Sequence, residues 1–290
     1  MGNNNSIVNI DAKGLSKVGA ALVDKVAEGI GGIFKPTQIV REARAQAKAD
    51  LITAQSQIEI DELQRRAMQR FVAEEAKRQS NIEAITKQAI PLLDDMAQPG
   101  QMNDDWVANF FEKSRIVSDD DMQSLWSKVL AGESNSPGKY SKRTVNLLSD
   151  LDKSDAELFS NFCGFAWALA GLKPLIYFEN DGAEPGRPEI YAQHNINFDT
   201  LSHLEALGLI THTAIGGFVT RGLPKTFSTA YHGRHLTLEM PNEGMPIEIG
   251  SALFTNAGAQ LAEICGSKPI AGFYDFVEER FKAKGFMVVP

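Results

Sequence analysis

The stretch GESNSPGKYS, from Gly132 to Ser141, comes closest in this chain to a phosphate-binding motif. A P-loop has the spacing G-x-x-x-x-G-K-[ST], in which backbone amides cradle a phosphate and the last hydroxyl holds Mg²⁺. Here five residues separate Gly132 from Gly138, and Tyr140 stands in the position of the hydroxyl residue. The stretch also follows a predicted helix, whereas a P-loop follows a strand. Spacing, chemistry and context therefore argue against a nucleotide site.

A small basic cluster lies at the end of the same stretch. Lys139, Lys142 and Arg143 occur where the loop enters the next predicted helix, a place where they could contact an anion such as phosphate. The alternative is a solvated edge, which is the commoner use of exposed basic residues. We keep the three residues as a candidate anion contact.

The remaining reactive residue types form no recognised motif. All five histidines lie in the last third of the chain: His194, His203, His212, His232 and His235. HGRH spans a predicted turn and lacks the second ligand pair of a zinc site. Cys163 and Cys265 provide no disulfide framework and fit a reducing cytosol. We expect no metal, no cofactor and no enzymatic activity. A hydrolase with a scattered histidine site is the alternative.

Composition limits the classes of partner. The 290 residues carry 29 Lys and Arg against 37 Asp and Glu, a net charge of −8. No third of the chain is basic, which makes nucleic acid a less favoured partner. The length allows two modest domains with cores of their own. No run of 18 apolar residues occurs, so a bilayer contact would be peripheral.

The N-terminal segment 1–36 is glycine-rich and amphipathic. At about 100° per residue, one helical face collects Leu15, Val18, Leu22, Val26, Ile30 and Ile33. Charged residues on the opposite face make a transmembrane span too costly. This apolar face could contact a membrane surface, contact another copy of the chain, or pack within its own protomer. The sequence leaves these three uses open.

Segment 37–95 is predicted to be a long helical arm. From Thr37 to Ala89 it contains neither proline nor glycine and consists largely of strong helix formers. A heptad-like spacing connects Val40, Ala47, Leu51, Ala54 and Ile58, but it does not continue regularly beyond them. We expect the arm to protrude and to pack against copies of itself. The alternative is a solvated helix that lies over the next domain.

Residues 96–170 are predicted to form a compact helical bundle. Asp104 or Asp105 would cap its first helix, and Ser118 with Asp121 would cap the second, which ends at Gly132. A third helix would cover 140–149, and a fourth, capped by Ser154 and Glu157, would continue to residue 171. The expected core residues are Trp106, Phe110, Phe111, Leu125, Trp126 and Leu130.

Residues 171–290 are predicted to form an α+β domain. Strands are expected at PLIYFEN and PEIYAQHN, hairpins at Gly216–Gly217 and Gly233, and helices at FTNAGAQLAEICG and FYDFVEERFKAKGF. FDTLSHLEALGLI would be a helix that leads into a strand, an order typical of winged-helix modules. A small antiparallel domain without DNA contact is the alternative, which the 9 basic and 13 acidic residues favour. The predicted fold class is mainly α with this α+β domain and a small antiparallel sheet.

The segments AEEAKRQSNIEAITKQAIPLL and DDWVANFFEKSRIVSDDDMQSLWSKVLAGESNSPGKYSKRTVNLLSDLDKSDAELF resemble a bacterial family known as domain of unknown function 2806. The helix SDDDMQSLWSKVLAGES is also similar to the abortive-infection alpha family of anti-phage proteins. These resemblances imply a bacterial or phage-borne protein and a role in antiviral defence. Neither family supplies catalytic residues that map onto this chain.

The predicted function is that of a non-enzymatic homo-oligomer in the cytoplasm. Its N-terminal helix would contact a partner or the inner membrane peripherally, as in an abortive-infection effector, and the partner would be a phage or host protein. The alternative function is a nucleic-acid-binding regulator that uses the winged-helix-like module.

Overall fold

The structure is a computed structural model that describes residues 15–30, 62–169, 175–176, 189–213 and 217–289. It divides into two compact units, Met1–Ser149 and Asp150–Pro290. This division falls before the boundary at residue 170 that the sequence suggests, because the helix after Asp150 packs with the second unit. In that helix Phe162 contacts Phe254, with ring centroids 5.7 Å apart.

The first unit is entirely helical in its described part. Its helices are α1 (Lys17–Gly29), α2 (Glu62–Ala89), α3 (Asp104–Ser114), α4 (Asp120–Asn135) and α5 (Lys142–Ser149). Short 3₁₀ turns at Ile90–Leu92 and Pro99–Gln101 connect α2 to α3. From Glu62 onwards the described helices fall within the segments predicted as arm and bundle, and residues 31–61 lie outside the described part.

Aromatic side chains form the core of the first unit, as the sequence predicts. Trp106 stacks on Phe110 with ring centroids 5.1 Å apart, and Trp126 meets the same ring edge-on at 5.1 Å. Such pairs add to the free energy gained from burying the rings. Of the predicted core residues, Leu125 alone is partly exposed and the other five are buried.

The helix ends of the first unit differ from those predicted. Asn103 caps α3 by accepting a hydrogen bond from the Trp106 amide at 3.0 Å, and Asp119 caps α4. The prediction that Gly132 ends α4 was wrong, since the helix continues to Asn135. A Cβ atom at Gly132 would lie 2.7 Å from the Tyr140 ring. Glycine is needed there for close packing of that ring.

The second unit contains short helices and nine strands in its described part. The helices are α6 (Lys153–Cys163), α7 (Glu189–Ala192), α8 (Phe198–Ala206), α9 (Asn256–Ala262) and α10 (Phe273–Ala283). The strands are β1 (Ala166–Leu169), β2 (Leu175–Ile176), β3 (Ile210–His212), β4 (Phe218–Thr220), β5 (Thr226–Tyr231), β6 (Arg234–Glu239), β7 (Ile247–Gly250), β8 (Ala252–Phe254) and β9 (Met287–Val289).

The strands make an antiparallel sheet in the order β3-β8-β2-β1-β5-β6-β9, and β4 pairs separately with β7. The β5–β6 hairpin turns at His232–Gly233, as predicted, with Tyr231 opposite Arg234. Both turn residues have positive φ, 44° and 84°, as a two-residue type I′ turn requires. The coarse prediction of an α+β region with a small antiparallel sheet is thus confirmed.

Three secondary-structure predictions for this region were wrong. The fourth helix does not reach residue 171, because α6 ends at Cys163 and β1 follows it. In β1 the side chain of Trp167 is buried between Tyr231 and Tyr274, at centroid distances of 5.2 and 5.5 Å. PEIYAQHN contains the helix α7 rather than a strand.

The third error concerns the hairpin expected at Gly216–Gly217. β3 pairs with β8 and β4 pairs with β7, so the two strands around this turn have different partners. Long-range pairing overrides the local turn signal here. The cap of α6 also differs, since Asp152 and Asp155 form the capping box in place of Ser154 and Glu157.

Candidate functional site

The apolar face predicted on the N-terminal helix lies partly inside the first unit. Leu22 and Val26 are fully buried, whereas Leu15, Val18 and Ile30 are partly exposed. Val107 of α3 lies so close to Gly29 that no side chain would fit there. Ile33 is outside the described residues. Packing within the protomer therefore accounts for the centre of this face.

An ion pair joins the polar side of α1 to the same bundle. The Lys25 ammonium binds the Asp104 carboxylate.

Across the described part of the chain, the helices are all too short or too polar to cross a bilayer.

A carboxylate of the chain itself binds the backbone amides of the P-loop-like stretch. Glu133, which is buried, accepts hydrogen bonds from the amides of Gly138 at 2.6 Å and Tyr140 at 2.8 Å. The loop amides that would face a phosphate thus bind this side chain. Burial raises the pKa of the Glu133 carboxyl, although the loop amides act to lower it. The sequence analysis did not predict that Glu133 accepts hydrogen bonds from this loop, because it compared the stretch only with a phosphate-binding loop.

The three basic residues of this loop do not converge on one point. Lys142 pairs with Asp105 at 3.4 Å, and the Lys139 ammonium lies 5.5 Å from the centre of the Tyr140 ring. Arg143 is exposed.

The histidines of the second unit are engaged separately rather than together. His203 contacts the Asp155 carboxylate at 2.7 Å. Burial lowers the pKa of His212, and nearby Glu205 opposes that shift. Within the described residues, no three His, Cys, Asp or Glu side chains are grouped closely enough to hold a metal ion.

A regular stripe of side chains runs along α2, and we call it the arm seam. It follows an alternating spacing of three and four residues through Met68, Phe71, Glu75, Arg78, Ile82, Ile85 and Ala89. This spacing places all seven on one face of the helix, as in a coiled coil. The sequence analysis did not find this register, because the charged residues Glu75 and Arg78 occupy its third and fourth positions.

The two halves of the arm seam differ in burial. Ile82, Ile85 and Ala89 are buried where α2 packs against α4. Met68 and Phe71 are 52% and 58% exposed. The same face of one continuous helix therefore passes from a packed core to solvent. Two apolar side chains side by side on one exposed helix face are available for contact with another surface.

Charged side chains separate the two halves. Glu75 and Arg78 of the seam pair with each other. Closer to the start of α2, Arg65 pairs with Glu62. The exposed half of α2 therefore carries an apolar patch of Met68 and Phe71. Basic Arg65 precedes this patch in the helix, and acidic Glu75 follows it.

Comparison with known proteins adds one finding to this geometry. A model of the family described as protein of unknown function, DUF2806, matches residues 65–278. The chain belongs to the DUF2806 family. The match covers most of α2 and most of the second unit, so the exposed seam residues lie inside the family's own region. The comparisons do not confirm the similarity to the abortive-infection alpha family. No curated protein and no solved structure shows significant similarity to this DUF2806 chain.

Proposed function

We propose that this DUF2806 protein is a non-enzymatic assembly protein whose copies associate through the exposed half of the arm seam. The observation that carries the proposal is the change in burial along one seam, from Ile82 and Ile85 in the core to Met68 and Phe71 in solvent. A second copy of the same helix would cover this patch and continue the core packing outwards.

Charge favours an antiparallel arrangement of the two helices. If Met68 of one copy packs against Phe71 of the other, Arg65 lies level with Glu74 of the second helix and within one residue of Glu75. The same contact occurs twice, because a two-fold interface is self-complementary. A parallel arrangement in register would instead place Glu75 against Glu75 and Arg78 against Arg78, which costs free energy in the seam.

The buried area of such a contact is small, so the expected complex is weak and concentration-dependent. Burial of each Phe71 would contribute about 2 kcal/mol, or about 4 kcal/mol for the pair. The ordering of long side chains such as Met68 and Arg65 offsets part of this gain. A reversible dimer is therefore the species that we propose.

The N-terminal helix has a secondary role in this proposal. Leu22 and Val26 would have to leave the core of the first unit before they could touch lipid or a partner. That cost favours the arm, rather than α1, as the first contact between copies. A peripheral membrane contact of α1 and an abortive-infection-like role against phage remain extensions of the proposal, supported by amphipathicity and by one helix's resemblance.

A nucleic-acid regulator with a winged-helix-like module is the second candidate function. The order of α8, β3 and the β5–β6 hairpin supports it. The charge of α8 does not, since Asp199 and Glu205 are exposed and His203 already pairs with Asp155. Retention on heparin with a steep salt dependence would favour this function, and elution at low salt would contradict it.

Charge reversal tests the assembly proposal. Arg65→Glu and Glu75→Arg are each expected to weaken the dimer, because each places like charges opposite one another. The double variant should bind roughly twofold to thirtyfold more tightly than the two single effects together predict, since the interface contains two such exposed pairs and each contributes about 0.2–1 kcal/mol. Sedimentation equilibrium on the full chain measures the dissociation constants. Additive effects in the double variant would contradict the antiparallel contact.

A further inference from the structure

The second unit contains a cavity of about 460 Å³ between α9 and the face of strands β1 and β5. Alanines make up much of its wall, and Cys163 contributes to the lining. His232 and Glu263 also border it. The cavity is large enough for a small molecule to approach the Cys163 sulfur, although that residue is buried from bulk solvent.

Two elements bring the only cysteines of the chain together. Cys163 is the last residue of α6, and Cys265 follows the end of α9. Their side chains lie close enough to affect each other's ionisation, and neither is in a disulfide. The Ser160 hydroxyl donates to the Cys265 carbonyl oxygen at 3.2 Å, which fixes the second segment against the first. Contact between the two side chains is thus built into the packing of α6.

The surroundings differentiate the two sulfurs. The hydrogen bond from Cys163, with further bonds from Ser267 and Ser160, lowers the pKa of Cys265 to about 6. Burial opposes this lowering of the Cys265 pKa. The Cys265 thiol also donates to the Ala262 carbonyl oxygen at 3.4 Å, and this bond favours the protonated thiol. Burial raises the pKa of Cys163 well above its ordinary value. Cys265 is also partly exposed, so it combines thiolate character with access.

We propose that Cys265 is an oxidation site for a hydroperoxide and that Cys163 resolves the product into a disulfide. The Cys265 thiolate attacks the terminal peroxide oxygen and breaks the O–O bond. The sulfur becomes a sulfenic acid, and the leaving alkoxide or hydroxide takes a proton from water. The Cys163 sulfur then attacks the Cys265 sulfur, and the released hydroxide leaves with the Cys163 proton as water. The peroxide is reduced and the two thiols are oxidised.

Intact-mass measurement on the full-length protein tests this site. After treatment with hydrogen peroxide, the wild-type chain is expected to lose two hydrogen masses and to resist alkylation, and a reductant should restore both thiols. No other cysteine complicates the measurement. Two alkylatable thiols after treatment would overturn the proposal. A disulfide between chains, or sulfinic acid without a disulfide, would overturn it as well.

Single substitutions separate the two roles. Cys163→Ser should leave a sulfenic acid on Cys265 that dimedone labels. Cys265→Ser should react with peroxide at least about tenfold more slowly than Cys163→Ser, because burial keeps the remaining Cys163 thiol protonated. Equal rates in the two variants would contradict the assignment. The wild-type mass change tests the site even if a variant folds poorly.

Discussion

Replacing Gly258 by alanine is expected to lower the free energy of unfolding of the second unit by about 3 kcal/mol or more. Gly258 lies in the first turn of α9, and a Cβ atom there would overlap the carbonyl oxygen of Leu209. This oxygen belongs to the backbone, so no side-chain rotation can relieve the overlap. It also accepts a hydrogen bond from the Thr255 amide at 3.1 Å. The added methyl would therefore separate α9 from the segment that leads into β3.

Thermal unfolding measures this effect. The expected fall in Tm is roughly 6–12 °C, given about 2–4 °C per kcal/mol for domains of 150–250 residues. Gly100→Ala is the matched control, since a Cβ atom at Gly100 would meet no other atom within 4 Å. A Gly258→Ala protein with the Tm of the Gly100→Ala control would contradict the close approach of α9 to Leu209.

Replacing Glu133 by alanine is expected to cost about 3 kcal/mol of stability in the first unit. The change leaves buried loop amides, including those of Gly138 and Tyr140, without their acceptor. Glu133→Gln should cost less, because its amide oxygen can still accept one of the two hydrogen bonds and no buried charge remains, although its NH₂ group then faces the other loop amide. Urea unfolding of the three proteins measures the difference. A Glu133→Ala protein as stable as wild type would show that the carboxylate does not organise this loop.

The pH dependence of the same comparison has a defined sign. Because burial raises the pKa of the Glu133 carboxyl, the fold favours the protonated form. Its stabilising contribution is complete below the unfolded-state pKa and is lost as pH rises through the folded-state pKa. Wild type should therefore lose stability relative to Glu133→Gln as pH is raised through that range. A difference in unfolding free energy that does not change with pH would contradict the raised pKa.

Local signals predicted much of this fold. The helices of the first unit follow from apolar spacing and acidic caps, with errors of a residue or two at Asn103 and Asp119. The β5–β6 hairpin follows from its glycine turn. β1 could not be predicted in this way, because CGFAWAL continues a helical-looking run. It is a strand because Trp167 fits between two tyrosine rings from distant segments.

The candidate sites were harder to predict than the fold. The apolar face on the N-terminal helix was visible from spacing, but the burial of Leu22 and Val26 depends on α3 and its neighbours. The arm seam has a regular spacing, but it was not recognised as an apolar stripe because Glu75 and Arg78 in it are charged. Cys163 and Cys265 are far apart in the chain, and their contact results from the packing of α6 and the segment after α9. Each of these features depends on tertiary contacts that no local window contains.

The most direct test of the central claim is the mass of the full-length protein as a function of concentration, measured by sedimentation equilibrium. Wild type should pass reversibly from monomer to dimer. Phe71→Ser should raise the dissociation constant by roughly three orders of magnitude, since two buried rings at about 2 kcal/mol each are lost. Ala73→Ser, on the opposite side of the helix, should behave as wild type. A monomeric wild type at every concentration, or a Phe71→Ser dimer of unchanged affinity, would contradict assembly through the arm seam.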